Sequence, residues 1–495
     1  MQRLPRWPTA ARAAFLLLVV LLLAQLAASA ATNRPNILLL LADDWAWPHA
    51  SSLGCADLQT PTFDRLAREG VLFRHAHVAA PSCSPSRAAM LTGQWPWRLG
   101  EAANLHAAIP PRFAVYPDLL ANAGYFVGRT GKGYGPGADT GRPNNAAGAG
   151  FPNFAAFMAQ RPAGQPFCFW LGAHQPHRPY QPDAGLAAGH HPAAVTVPPY
   201  LPDTEMVRRD ICDYYHEVEV FDHLAGAAVA ELERRGELDR TLIVITGDNG
   251  WPFPRSKATC YDTGTHQPLA VRWGDRVPGG RVVEDFVSLA DLAPTFLAAA
   301  GLTPPAEMTA RSFLEVLLGG RAGWVDPARG HLLTGMERHT SHGRTDGDQT
   351  GVGYPMRTLL TRDFHYLRNF RPGRWPAGNP PAAGRTPDFA AFAANTYAGF
   401  ADVDAGRAKA WVATHPDDPA FARAFGLRPA RELYDLRTDP FEMHNVAADP
   451  AYAAQVADLD RRLMAELAAT GDPRATPGAD ADAFDHYPAR GPAAK

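Results

Sequence analysis

Excess charge, cysteine and glycosylation signals are all scarce in this sequence, and each scarcity removes a class of protein. Against 47 lysines and arginines stand 50 aspartates and glutamates, a formal net charge of -3. That balance points to no nucleic-acid partner. Five cysteines occur in 495 residues, an odd number that leaves at least one thiol unpaired in an exported chain. No Asn-x-Ser/Thr triplet is present, so nothing marks the chain for N-glycosylation. There is no internal repeat.

What is present begins at the N-terminus. Arg3, Arg6 and Arg12 precede an apolar run at 13–24, and Ala28-Ser29-Ala30 offers small residues to a signal peptidase. We expect a cleaved secretory signal over residues 1–30 and a periplasmic or secreted mature chain. The run is short for a membrane span, and no cysteine follows it closely, so neither a stable membrane anchor nor a lipoprotein is expected.

At this length a single core rarely keeps growing, and two domains are expected. Alternating strands and helices predict an α/β catalytic domain over residues 31–330, with a mostly parallel central sheet flanked by helices. Residues 36–41 are a nearly unbroken apolar run of strand length, the mark of a central strand covered on both faces. Pro61 opens a helix with Phe63, Leu66 and Ala67 on one face and Gly70 behind it. Residues 167–172 read as a further buried strand. The longest helix is predicted over 210–235, with Ile211, Tyr215, Val218, Phe221, Ala225, Ala228 and Leu232 at helical spacing. Residues 241–246 repeat the character of the first strand. The Gly/Ala/Asn/Pro-rich stretch at 135–166 reads as a long loop.

From about residue 331 the pattern changes. Short strands at 331–335, 356–360, 364–369 and 432–436 follow without a helix between each pair, which predicts a smaller C-terminal α+β subdomain with an antiparallel sheet over 331–470. A Pro/Gly-heavy loop is expected at 371–387. A final helix carries Tyr452, Val456, Leu459, Leu463 and Leu467 as one apolar stripe. Residues 471–495, rich in Ala, Pro, Gly and Asp, are expected to be disordered.

The chemistry concentrates in Cys83-Ser84-Pro85-Ser86-Arg87, which runs into a helical pattern ending at Thr92-Gly93. Pro85 suits a first helical turn and Gly93 can end the helix. Cys83 therefore stands at a helix N-terminus, where unpaired N–H groups and the helix dipole favour an anion such as sulfate or phosphate. Two apolar strands meanwhile run into Asp43-Asp44 and Asp248-Asn249, and open α/β sheets bind ligands beyond the carboxyl ends of their strands. Hard oxygen side chains of this kind suit calcium or magnesium rather than zinc.

Cys83-Ser84-Pro85-Ser86-Arg87 with Thr92-Gly93 resembles the signature of the type I sulfatases, formylglycine-dependent enzymes of the alkaline-phosphatase-like superfamily. The resemblance implies that a formylglycine-generating enzyme oxidises Cys83 and that the hydrated aldehyde attacks sulfur. It also implies calcium, or magnesium, held by Asp43, Asp44, Asp248 and Asn249 with residue 83 completing the site. Lys132 and His177 match the groups that contact the sulfate, and Arg87, one helical turn from Cys83, is placed to hold the hydrated aldehyde and neutralise developing charge. Lys257 matches the basic group near the leaving atom, with Arg255 as the competing candidate. Where the family usually carries a histidine this chain has Tyr134, whose phenol can donate a hydrogen bond but is a poor acid-base group near neutral pH. With Cys83 modified, Cys55, Cys168, Cys212 and Cys260 remain, enough for two disulfides or none.

Trp251-Pro252-Phe253-Pro254, Glu337-Arg338-His339 and Tyr354-Pro355-Met356-Arg357 resemble segments of the sulfamidase branch, which removes N-sulfate from heparan glucosamine. By that resemblance Glu337 and His339 contact the sugar, and the substrate is a sulfated glycan, N-sulfated heparan sulfate or heparin. Three other activities fit the same motifs: an O-sulfatase on another glycan or an aryl sulfate, a phosphonate or phosphodiester hydrolase, and a glycan-binding protein with a dead site.

Overall fold

A computed structural model describes residues 34–488 apart from 138–140, 383 and 385–387; the expected signal segment lies outside the described residues. The first strand, β1 (Asn36–Ala42), is buried at every position. Its residues serve two cores at once. Ile37, Leu39 and Leu41 point into one apolar cluster, and Leu38 and Leu40 into the other on the opposite face of the sheet. That is why its sequence does not alternate.

The strands that follow are β2 (Val71–His77), β3 (Phe126–Gly131), β4 (Ala149–Gly150), β5 (Phe167–Gly172), β6 (Thr241–Gly247), β7 (His266–Arg272) and β8 (Arg281–Ser288). They form one sheet in the order β4-β3-β5-β1-β6-β7-β2-β8. All neighbours are parallel except β7, which runs against both β6 and β2. The expected α/β class is what the structure has. The long helix spans Glu205–Arg234, with the Thr204 side chain capping it through Val207 N–H, and it buries the predicted stripe against one face of the sheet. The stretch expected as a loop at 135–166 contains the helix Phe154–Gln160, capped by the Asn153 side chain and buried through Phe154, Phe157 and Met158.

The second sheet comprises β9 (His331–Met336), β12 (Met356–Thr361), β13 (Phe364–Asn369) and β14 (Arg431–Asp435), antiparallel throughout in the order β14-β13-β12-β9. Between them β10 (Thr345–Asp346) and β11 (Gln349–Thr350) form a small separate hairpin. Gly335 N–H donates to the Ala79 carbonyl, which ties this sheet to the loop leading into Cys83. Leu459, Leu463 and Leu467 of the helix Ala453–Ala469 pack on it as the stripe predicts. Three helices that sequence periodicity did not announce, Phe389–Ala394, Arg407–Thr414 and Pro419–Phe425, share a further small core. Among the described residues all five cysteines are free, and no helix is long and apolar enough to cross a membrane.

The tail is the main correction. Residues 471–488, expected to be disordered, dock on the small sheet. Phe484 is 2% exposed in the same cluster as Leu463. Asp472 pairs with Arg357, Arg474 with Glu337, and Asp485 with Arg374. One aromatic and three buried ion pairs anchor a segment whose composition suggests nothing to bury.

Truncating Phe484 to alanine should cost about 3 kcal/mol in chemical denaturation; an unchanged midpoint contradicts the docked tail. A second outcome concerns Lys409, whose Nζ donates to the Thr396 and Val403 carbonyls. Burial lowers its pKa from 10.5 to about 7. Between those values the unfolded chain binds more protons than the folded one, so the group adds stability as pH rises through that window. Relative to Lys409→Met, the wild-type unfolding free energy should climb from pH 7 toward 10.5; a difference that is flat with pH contradicts a neutral buried amine.

Candidate active site

Four consecutive strands deliver the candidate residues to one edge of the large sheet. In spatial order β3, β5, β1 and β6 end at Gly131, Gly172, Ala42 and Gly247. Just beyond them lie Lys132, the loop carrying His177, Asp43-Asp44 and Asp248-Asn249. Ala42 stands opposite Gly247 in the β1–β6 register, so the two acid-bearing turns are neighbours. At Asp44 the backbone adopts φ 73°, a left-handed conformation that Asp tolerates better than most residues. Its N–H donates to Asp248 Oδ1 at 2.9 Å, and Asn249 Nδ2 donates to Asp44 Oδ1 at 2.7 Å. Lys132 is set by a close backbone approach. Its N–H donates to the Gly172 carbonyl at 2.8 Å, and a Cβ on Gly172 would fall 1.8 Å from the Lys132 carbonyl oxygen, so only glycine fits there.

The helix Cys83–Thr92 meets this edge with its N-terminus, and all of its residues are buried. Cys83 Sγ lies 3.6 Å from Asp43 Oδ1. One helical turn on, Arg87 donates from Nε to Asp248 Oδ2 at 2.7 Å and from Nη1 to the carbonyls of Lys132 and Gly133. Its Nη2 stands 3.6 Å from Asp43 Oδ1 and is buried with no hydrogen-bond partner. Lys132 Nζ reaches both Asp43 oxygens, at 2.7 and 2.6 Å. Lys257 Nζ lies 2.8 Å from Asp44 Oδ2, with His177 Nε2 at 3.8 Å from the same oxygen.

Burial opposes ionisation of Asp43, yet Lys132, His177, Arg87 and Lys257 together hold its carboxyl far below the usual range. Asp248 goes the other way: burial pushes it up to about 6 in spite of Arg87. Burial also raises the Cys83 thiol well above its ordinary value, so the unmodified side chain is a protonated thiol and a poor nucleophile. The donor set fits a divalent cation. Ligand atoms of Asp43, Cys83 and Asp248 lie within 4.8 Å of one another, as do those of Asp44, Cys83 and His177. Asn249 Oδ1 is buried without a partner, an acceptor that a cation would satisfy.

The structure thus brings together Asp43, Asp44, Cys83, Arg87, Lys132, His177, Asp248, Asn249 and Lys257. Arg255 turns away, donating to the carbonyls of Phe441 and Glu442, and His174 is exposed. Tyr134 is 3% exposed and its hydroxyl donates to the Ala107 carbonyl at 2.8 Å, which bonds two loops together. Glu337 is a correction: Arg357 and Arg474 occupy both its oxygens in a buried cluster, leaving no lone pair directed at a sugar. His339 is closer to the chemistry. Its Nδ1 is 2.8 Å from Ser82 Oγ, and burial lowers it to about 4 beside Asp402, Lys257 and Asp404. Asp404 itself, 2.8 Å from Lys257 Nζ, is the residue that sequence reasoning missed. Its partner is 147 positions away, and no local motif marks it.

A buried nucleophile position beside three carboxylates, a guanidinium and two ammonium groups, at the carboxyl ends of a mostly parallel sheet, defines a hydrolase of oxyanion esters or amides. The chain matches the sulfatase family over residues 35–154 and 146–302. It belongs to that family, whose members hydrolyse sulfate esters or sulfamates and generally use a formylglycine and a divalent metal. Human N-sulphoglucosamine sulphohydrolase is 29% identical over 489 residues, covering 88% of this chain and 91% of that protein. An ulvan-active sulfatase of Formosa agariphila is 25% identical over 488 residues, covering 89% and 76%. A solved protein in complex with its substrate D-glucosamine-2-N,6-O-disulfate shares the fold at TM-score 0.63 and 18% identity, over 89% of this chain and 98% of that one.

Calcium or magnesium added to chelator-treated protein should raise its thermal midpoint, by about 2.7 kcal/mol of stabilisation at a hundredfold excess over Kd. Asn249→Ala should weaken that response; a midpoint indifferent to both cations contradicts the ligand set.

Proposed function

We propose that this sulfatase removes the N-sulfate of glucosamine in heparan sulfate or heparin fragments, outside the cytoplasm. In this reading a formylglycine-generating enzyme converts Cys83, and calcium, or magnesium, is held by Asp43, Asp44, Asp248 and Asn249. The observation that carries the substrate is the likeness to human N-sulphoglucosamine sulphohydrolase, which spans 91% of that protein and so includes the second sheet as well as the first. The local structure supports it. Trp251 and Phe253 stack at 4.1 Å in the core, and Lys257 N–H donates to the Trp251 carbonyl at 3.2 Å. The segment that resembles the sulfamidase branch is therefore the scaffold that turns Lys257 toward Asp44.

Converted to a formylglycine, Cys83 would supply the nucleophilic hydroxyl, and a cation held by Asp43, Asp44, Asp248 and Asn249 would supply charge stabilisation as a Lewis acid. The chain's own groups do the rest. Arg87 keeps Nη2 unpaired beside Asp43, a donor left over for an oxygen of the transferring group. Lys132 and His177, from beyond the ends of β3 and β5, stand beside Asp43 and Asp44 and would spread the charge of that group. Lys257 stands next to Asp44 as the ammonium nearest a departing atom. When the S–N bond breaks, the amine leaves with a proton and the sulfuryl group passes to oxygen, so sulfamate and water become an ammonium and sulfate.

Two measurements test this. Mass spectrometry of the peptide containing residues 81–87 from the native host should show an aldehyde in place of the thiol, and Cys83→Ala should lower activity roughly 10^3-fold or more. Sulfate should be released from glucosamine N-sulfate in preference to glucosamine 6-O-sulfate. A fully unmodified Cys83 in active enzyme sinks the mechanism, and cleavage of the O-sulfate alone sinks the substrate.

A further inference from the structure

Asp404 is an acidic side chain of the site that does not come from a strand end. It lies in the segment between the turn Thr396–Ala398 and the helix Arg407–Thr414, and that segment is pinned on both sides. Asp402 accepts from Thr340 N–H at 3.0 Å and Thr340 Oγ1 at 2.6 Å, and pairs with Arg344. Lys409 Nζ donates to the Thr396 and Val403 carbonyls at 2.8 Å each. A carboxylate fixed in this way costs little to order when a ligand arrives.

Lys257 Nζ bridges two carboxylates, Asp44 Oδ2 and Asp404 Oδ2, at 2.8 Å each. Side-chain exposure rises along this row, from 0% at Asp44 through 4% at Lys257 to 17% at Asp404. The row therefore leads from the buried strand ends toward the surface, and Asp404 is its most exposed member. His177 and His339 flank it there. Among the described residues the only hydrogen bond to the Asp404 side chain is at Oδ2, which leaves Oδ1 available.

We propose that Asp404 determines specificity by accepting a hydrogen bond from the N–H of a sulfamate through Oδ1 while Oδ2 holds Lys257. The inference rests on the N-sulfate reading above and deepens it. At the bridging atom a sulfamate carries an N–H donor, whereas a sulfate ester carries an oxygen with lone pairs only. A carboxylate attracts the first and repels the second. Lys257, donor only, serves either bridging atom and cannot separate them. Asp404 needs both of its oxygens, one for Lys257 and one for the substrate. Asparagine offers a single acceptor and must abandon one of the two; glutamate keeps both.

Mature wild-type enzyme, Asp404→Asn and Asp404→Glu are compared for sulfate release from glucosamine N-sulfate, with inhibition by inorganic sulfate as the reference because that ion has no N–H. Asp404→Asn should lose about 100-fold in kcat/KM on the N-sulfate while its sulfate inhibition constant stays within about threefold. Asp404→Glu should recover about tenfold of the loss, and it keeps the test valid if the asparagine variant folds poorly. An Asp404→Asn enzyme as active as wild type overturns the assignment, as does a loss of sulfate affinity that matches the loss in activity. Wild-type enzyme that cleaves glucosamine 6-O-sulfate but not the N-sulfate overturns the substrate reading instead, a result the variants do not produce.

Discussion

Negative charge converging at the ends of β1 and β6 is the constraint that the rest of the site answers. Asp43, Asp44 and Asp248 are each at most 2% exposed, and carboxylates brought together out of water repel strongly unless cations share the space. The chain brings those cations from every direction. Arg87 comes from the helix after β2, Lys132 from the end of β3, His177 from beyond β5 and Lys257 from the turn after β6. The orphaned Asn249 oxygen and the convergent ligand atoms could accept one further positive charge. The fold is thus held at its catalytic edge by the same attraction that would grip a sulfuryl group.

Much of this was legible because burial on both faces leaves a strong trace. The runs ending at Asp43 and at Asp248 are apolar at nearly every position, so the strands and the acids beyond them read directly from the sequence. β7 did not, although it is central, because it carries His266, Gln267, Pro268 and Arg272. Proline lacks a ladder donor, and Pro268 falls beside the register shift between β2 and β7, where the pairing is already interrupted. The helix Phe154–Gln160 was hidden by the Gly- and Pro-rich stretch around it, and Asn153 as its cap was the available signal.

What stayed illegible was long-range charge pairing. Glu337 matched a sugar-contacting position by local pattern, yet its partners are Arg357 and Arg474 from remote segments. Asp404 showed the reverse, an unremarked acid that folding carries to Lys257. Local pattern identifies residues placed by the strand they follow, because strand ends are fixed by periodicity. It does not identify residues placed by a salt bridge between segments remote in the sequence, since either sign of charge is ordinary in a local pattern.

The use of lysine makes the same division of labour visible. Among 47 basic residues only four are lysines, and the three described, Lys132, Lys257 and Lys409, all lie in or beside the active site. Arginine handles the planar two-oxygen pairs elsewhere, such as Arg178 with both oxygens of Asp210. Where one charge must sit between two carboxylates from segments remote in the sequence, as Lys257 does between Asp44 and Asp404, a compact ammonium suits and a rigid fork does not. In the proposed reading the groups at the strand ends would bind a tetrahedral oxyanion whatever it is attached to. On the reading proposed above, discrimination between attached nitrogen and attached oxygen would have to come from beyond them, and the segment between the turn Thr396–Ala398 and the helix Arg407–Thr414 brings the Asp404 carboxylate to Lys257 from outside the strand ends.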